Sequence, residues 1–518
     1  MLPSSVPVEI SITGIEESLE TILVDGIANE GTKLNDGKSL LVYRQPSYGL
    51  GFVYAERPND PYLVVRSWLQ GDFVSSNRWY PNSMILKLGY TGLNVGADSL
   101  AGIISSSLVN VELSQFIDPI VVDLGITQAS ILIDSAVIKN MSLTLSISGG
   151  QMIVDLVLTP LQIEYRIDNE LLSSQGFAAY EQIYINALAE LDKSGVNLIQ
   201  PRVMSGRLQI NDEQLPDHLM NAIAEALTDR FASTISQVIS EVTYQVTAQL
   251  FEQFAPSLGI RFPQAIIQES RVSSVGIEEN SLVIGFETRM AAQTSQMAPD
   301  YGGALIAASL ETTGYQETMK LSVGSGLIHQ LLYAAWDAGN FSNLSYTKAD
   351  LESLGLGELS FPYSNLDRAK IDLLLPPTME WTPEGPVLVL GGVMAGLKVN
   401  YSKDTSAWTA ARIPIKLSFE QGSLRVSSDV SRTIKSEPIM LDRLNDIAER
   451  AEVLKLINTA LPSVINDILS QFPLISIAPL ELQALSNSPK LVVLPRLESA
   501  LTKNSYWELG LNLDVLSD

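Results

Sequence analysis

The chain has no cysteine and only two histidines, His218 and His329. The first absence removes disulfides, thiolate metal sites and cysteine nucleophiles together. The second leaves a zinc centre or a Ser-His-Asp triad almost nothing to be built from. The two histidines are far apart, each in a stretch of helical pattern, and each reads as a surface or interface residue. Neither GxSxG nor HExxH occurs. GTKLNDGKS at 31–39 is one residue too long for a phosphate loop and lacks the strand-to-helix frame. Carboxylate pairs carry no signal in a chain with 58 acidic residues. The expectation is no enzyme, no metal and no cofactor.

Basic residues are also few. Lys and Arg number 33 against those 58 acids, a formal charge of −25, and no basic cluster stands out. Nucleic acid is a poor partner for such a chain, because its phosphates need a basic face. An anionic membrane is disfavoured as a purely electrostatic target. No run of 18 or more apolar residues exists, and the longest, VLVLGGVMAGLKV at 387–399, reads as strand and turn. The N-terminus MLPSSVPVEI has no basic region followed by an apolar segment, so it has no signal-peptide pattern. Yet 46% of the residues are hydrophobic, and the mean hydropathy is slightly positive. That apolar surface must be buried or must line a cavity.

What is present centres on residues 217–258. Leu219, Ile223, Leu227, Phe231, Ile235, Ile239, Val242, Val246, Leu250 and Phe254 recur at steps of four and three, one stripe down one helical face. Pro216 and Asp217 give a start signal, and Pro256 with Gly259 a stop. At 1.5 Å per residue the helix would be roughly 58 Å long, so it needs an equally long apolar partner. The preceding sequence is strand-like, which points to a long curved sheet. The stripe is then either sealed core or one wall of a slot for a lipid chain.

In chain order, 8–13 alternates as a strand. Residues 14–29 read as a short helix with Ile15, Leu19, Ile22, Leu23 and Ile27 on one side. From 31 to 81 turns alternate with aromatic-rich strands carrying Trp68 and Trp79. Strand patterns dominate 83–167, with Gly149-Gly150 as a hairpin turn. Residues 178–191 read as an inserted amphipathic helix, and 207–210 as a last strand. The second half repeats the programme. It runs through strands, a short apolar helix with Leu327, Leu331, Leu332 and Trp336, more strands, and a second long helix near 439–472 that Pro462 would kink or split. Two related halves, 1–262 and 263–518, follow.

At this point the chain resembles the tubular lipid-binding superfamily of bactericidal/permeability-increasing protein, lipopolysaccharide-binding protein and cholesteryl ester transfer protein. The resemblance rests on VEISITGIEESLETILVDGIANEG, LSVGSGLIHQLLYAAWDAGNFS, PPTMEWTPEGPVLVL and VINDILSQFPLISIAPLELQ followed by LVVLPRLESAL. It implies an α+β fold: an elongated boomerang of two barrels, each a curved antiparallel sheet wrapped on a long amphipathic helix, joined by a central sheet. Against that family about 31–83 and 168–205 look like insertions, and the resemblance also implies apolar slots for acyl chains. The family's usual disulfide is impossible here, and its basic tip is not evident. A phospholipid or other neutral or zwitterionic lipid therefore fits better than lipopolysaccharide, with transient membrane contact.

The expected slot residues are Ile15, Leu19, Ile22 and Leu23 against Ile235, Val238, Val242 and Val246 in the first barrel. In the second they are Leu327, Leu331 and Leu332 against Leu454, Ile457, Leu461 and Ile465. The expected location is the periplasm, the bacterial cell envelope or the exterior, as a mature form, with the cytoplasm left open. The alternative is an interaction or scaffold protein with filled pockets that meets a protein partner through 31–83. On that reading alanine at Trp68 or Trp79 abolishes partner binding and leaves lipid uptake intact.

Overall fold

The computed structural model describes residues 7–13, 21–25, 27–28, 32–33, 39–44, 49–57, 60–75, 78–89, 93, 117–123, 128–168, 173–206, 208–211, 216–253, 264–278, 281–297, 304–305, 310, 319–353, 363–400, 404–420, 423–429, 431–432, 434–436, 440–441, 447–470, 480–482, 491–503 and 506–517. The principal elements of the first half are β1 (Val8–Thr13), β2 (Thr21–Val24), β3 (Ser39–Arg44), β4 (Gly49–Arg57), β5 (Asp60–Gln70), β6 (Tyr80–Leu88), β7 (Ile120–Asp123), β8 (Gln128–Ser148), β9 (Gln151–Asp168), β10 (Ser173–Tyr180), β11 (Ile183–Asp192), β12 (Gly195–Ser205), β13 (Leu208–Asn211) and helix α1 (Asp217–Gln253). Those of the second half are β14 (Ile266–Glu278), β15 (Ser281–Ala292), β16 (Met319–Gly324), α2 (Ser325–Asp337), β17 (Leu366–Leu373), β18 (Thr378–Thr382), β19 (Gly385–Val399), β20 (Thr405–Glu420), β21 (Ser423–Ser428), α3 (Ile447–Ser470), β22 (Leu491–Thr502) and β23 (Tyr506–Ser517). The fold is mostly strand with few helices, an α+β arrangement.

The N-terminal sheet is a meander of long ribbons. β8 and β9 pair along their whole lengths, and Gly149 and Gly150 turn the chain between them at φ of 60° and 76°. That left-handed pair is the one an L side chain rarely adopts, as the Gly-Gly dipeptide predicts. β9 then pairs with β10 over its second half and β11 over its first; β10 pairs with β13 and β11 with β12. β10 and β11 are thus one interrupted ribbon, and β12 and β13 another.

The gaps between β10 and β11 and between β12 and β13 line up with a change of side-chain parity in β8 and β9. Ile138, Leu161, Tyr180 and Leu208 form one row across the sheet, and Met141, Leu158, Ile183 and Ser205 the next. Each ribbon holds two residues between these rows: Lys139 and Asn140, Thr159 and Pro160, Glu181 and Gln182, and a final pair that begins at Gly206. Inward residues on β9 accordingly change parity, from Met152, Val154, Leu156 and Leu158 to Leu161, Ile163, Tyr165 and Ile167. Pro160 has no N–H to give the ladder, so a break there costs little. The result is a crease across the whole sheet.

Two sequence expectations fail in this region. Residues 178–191 are strand, not helix. Ala178, Tyr180, Ile183, Ile185 and Ala187 are buried, and the three-residue step across the crease imitates helical spacing. Within the expected helix at 14–29, residues 14–20 lie outside the described residues, and Thr21–Val24 is a strand paired with β4. Ile22 and Val24 are its buried residues, a period of two hidden in a segment too short to reject a period of 3.6.

The central sheet runs β14-β15-β6-β16-β23-β22 and then Leu480–Leu482. β6, from the first half of the chain, sits between β15 and β16 from the second. The C-terminal sheet is built on β17, β19, β20 and β21, with β18 beside β19. β19 explains the long apolar run at 387–399. Leu388 and Leu390 join the main core, while Val387 and Val389 pack under Leu50 and Leu69 of the β4–β5 hairpin. A strand buried on both faces reads as continuously apolar. The turn expected inside that run is a register shift between Leu390 and Val393. α3 runs unbroken through Pro462.

α2 is buried at every residue and packs on β15, β6, β16 and β18. His329 is therefore no surface residue. Its Nε2 lies 2.9 Å from the Met379 N–H and 3.0 Å from the Met379 carbonyl on β18. Trp336 Nε1 donates to the Leu373 carbonyl at 2.8 Å.

Burial, with the Asp337 carboxylate adding to it, pushes the Tyr333 phenol up from 10.0 to about 12. The folded chain holds this proton more tightly than the unfolded chain, so the linked stability is complete below about pH 10 and is lost as pH rises toward 12. Phenolate absorbance should show Tyr333 ionising only together with unfolding. Tyr333→Phe should move the alkaline unfolding midpoint upward; an unchanged midpoint would discount the linkage.

Candidate functional site

The interior between α1 and the N-terminal sheet is the candidate site. α1 has 37 residues, about 56 Å of helix. Its first turn begins at Pro216, whose carbonyl accepts the Leu219 and Met220 N–H groups at 3.0 and 3.1 Å. One edge of the sheet, β12 and β13, packs on this helix, and so does the opposite edge, β7. Four strand steps separate those edges, about 19 Å in a flat sheet, whereas a helix is roughly 10 Å across. One helix can touch both edges because the sheet curls around it into a half-barrel.

Polar side chains fasten the two together at fixed levels. Tyr180, in the row beside the crease, shares a 2.7 Å hydrogen bond with Thr228 of α1, and burial raises its phenol. Further along, Thr247 donates to the Thr243 carbonyl at 2.7 Å and accepts the Val196 N–H of β12 at 2.9 Å. Arg230 reaches Asp118 at 3.1 Å just before β7, an exposed pair. Between these ties the described residues buried against α1 are uncharged. Ile223, Leu227, Phe231, Ile235, Val238, Ile239, Val242 and Val246 share one core with Ile138, Leu143, Leu156, Leu158, Leu161 and Ile163.

Of the expected slot residues in the first half, Ile235, Val238, Val242 and Val246 are all buried, the last two at 0% exposure. Ile15 and Leu19 lie outside the described residues. Ile22 packs in a separate small cluster with Val8, Val24, Val53 and Trp68, and Leu23 is half-buried beside it. Strand β2 and helix α1 therefore serve different clusters. In the second half Leu327, Leu331, Leu332, Ile457, Leu461 and Ile465 share the main core, with Leu454 packed against it. α2 meets the central sheet and β18, while α3 lies along β21. Sequence reasoning missed the ties at Tyr180, Thr228 and Thr247, because hydroxyls dispersed along strand and helix carry no pattern until the two are docked.

The aromatic segment divides in two. Trp79 is half-buried, with the Arg271 and Arg289 guanidinium carbons 4.2 and 5.4 Å from its ring centroid. These arginines pair with Glu287 and Glu269 across β14 and β15. Trp68 is 9% exposed. A Cβ on Gly51 would meet its indole at 2.6 Å, so the ring lies flat on that glycine. Trp68 is thus a packing residue rather than a contact surface. Trp68→Ala should cost about 3–5 kcal/mol, whereas Trp79→Ala loses only exposed cation–π contacts of about 0.5–1 kcal/mol. Thermal melts of the two variants decide this, and equal midpoints would contradict it.

Among the described residues no group of three or more histidines and carboxylates is placed to hold a metal ion, and no helix is long and apolar enough to cross a membrane. No protein-family model matches the chain, and no curated protein matches it. Among solved structures, the crystal structure of a lipopolysaccharide binding protein is similar to it. The identity is 11% over 85% of this chain and 100% of that one, with a TM-score of 0.43. A likeness this slight brings no ligand with it.

Proposed function

We propose that this protein binds lipid and carries it passively. Acyl chains lie between α1 and the curled sheet, and in a second compartment among α2, α3 and the central and C-terminal sheets. The two compartments correspond to halves at about 1–262 and 263–518, arranged as the two barrels of a boomerang. The observation that supports this reading is the uncharged interior that the described residues of α1 and the half-barrel enclose, with the Arg230–Asp118 pair exposed outside it. Each acyl CH₂ moved from water into such an interior gains about 0.8 kcal/mol, so extraction needs no catalysis and no cofactor. The charge of −25 repels anionic headgroups and favours a neutral or zwitterionic lipid, met through transient membrane contact in an envelope or extracellular setting. The crease offers the line along which the sheet flexes to admit a chain.

Native mass spectrometry of the purified protein, with extraction of whatever co-purifies, tests this. The expected result is a phospholipid or fatty acid at near-stoichiometric ratio. An apo mass with no uptake from labelled phosphatidylcholine vesicles would sink it. The full burial of Val242 and Val246 favours one competing reading: an interior filled by its own side chains, in a protein that acts by docking a partner through the Trp79 face.

A further inference from the structure

Buried polar atoms with no hydrogen-bond partner among the described residues include the indole nitrogens of Trp381 and Trp507. A serine or threonine hydroxyl can rotate toward an acceptor, but an indole N–H is a donor only and is fixed by its ring. The two rings are in contact, with centroids 5.7 Å apart at an interplanar angle of 67°. In such an edge-to-face pair at most one N–H can point into the other ring's face. At least one donor therefore still lacks an acceptor, in a place where an unpaired polar group is costly.

The position fits a ligand's polar end. Trp507 lies on the core face of β23 with Leu509 and Leu511, and Trp381 comes from β18 of the C-terminal sheet. The pair joins the two sheets that bound the second compartment. Trp381 as a residue is half-buried while its Nε1 is enclosed. The ring thus stands at the rim of the core with an uncharged donor turned inward. An uncharged donor site suits a neutral oxygen acceptor, because a carboxylate buried beside it would lack a cation to offset its desolvation.

We propose that Trp381 and Trp507 bind the carbonyl oxygen of a neutral ester at the head of an otherwise apolar ligand. This rests on the lipid-binding reading and adds to it the chemistry of the headgroup. The probes are methyl palmitate and hexadecane, which share an apolar chain and differ in the ester. The native protein should take up the ester roughly fivefold more tightly than the hydrocarbon, the worth of one neutral hydrogen bond. In tryptophan-labelled protein the indole N–H resonances of Trp381 and Trp507, assigned from the single variants Trp381→Phe and Trp507→Phe, should move downfield with the ester and stay put with the hydrocarbon. The double phenylalanine variant should bind both probes alike. Equal binding by the native protein with unmoved resonances would overturn the assignment and leave lipid binding standing. Uptake of neither probe would remove the lipid-binding reading and this inference with it. The resonance measurement on native protein decides the matter even if the variants fold poorly.

Discussion

Val242→Trp should empty the first compartment of lipid while leaving the protein folded. Val242 stands on the inward stripe of α1, between Asp217 and Gln253, and is fully buried. If an acyl chain fills the space before it, the larger ring takes the place of part of that chain. Co-purifying lipid should then fall by about half or more in a two-compartment carrier, and the melting midpoint should move little. If protein side chains fill that space, the same ring overpacks a dense core. Overpacking costs typically about 1–3 kcal/mol, and there is no lipid to lose. Native mass spectrometry and a thermal melt on one preparation separate these outcomes. Lipid unchanged in amount, with a native melting point, would place the ligand elsewhere than along α1.

Trp336→Ala should be among the most damaging single changes in the chain. The residue has 0% exposure, packs beside Tyr333 with ring centroids 5.9 Å apart, and donates to the Leu373 carbonyl. Truncating a buried tryptophan costs about 3–5 kcal/mol through lost burial and the cavity left behind. The Leu373 carbonyl also loses its indole donor, a further ~1 kcal/mol. Domains are stable by only about 5–15 kcal/mol, so the variant should lose much of its margin. Trp336→Phe keeps most of the ring and gives up the hydrogen bond, and it should fall well short of that. Urea midpoints followed by near-ultraviolet circular dichroism measure both. A Trp336→Ala midpoint close to the native one would mean that α2 is not the packed centre described.

The sequence by itself determined several things about this protein. The stripe from Leu219 to Val246 specified α1, because steps of three and four sustained over many turns fit no other period. The Gly-Gly dipeptide specified the β8–β9 hairpin, since its φ values suit glycine alone. The lack of cysteine and near lack of histidine narrowed the chemistry before any fold was considered.

Tertiary structure decided the rest. Residues 178–191 look helical because the crease puts a three-residue step into a strand. That step makes sense only once β8 and β9 are seen to change side-chain parity, and β12 to give way to β13, along the same line. The apolar run at 387–399 has two buried faces because the β4–β5 hairpin, from far earlier in the chain, covers the second. His329 and the Trp381–Trp507 pair acquired their meaning from β18 and β23. Local periodicity records which way each side chain points along its own element. Which element lies opposite is set by pairings across tens to hundreds of residues, and no local pattern encodes those.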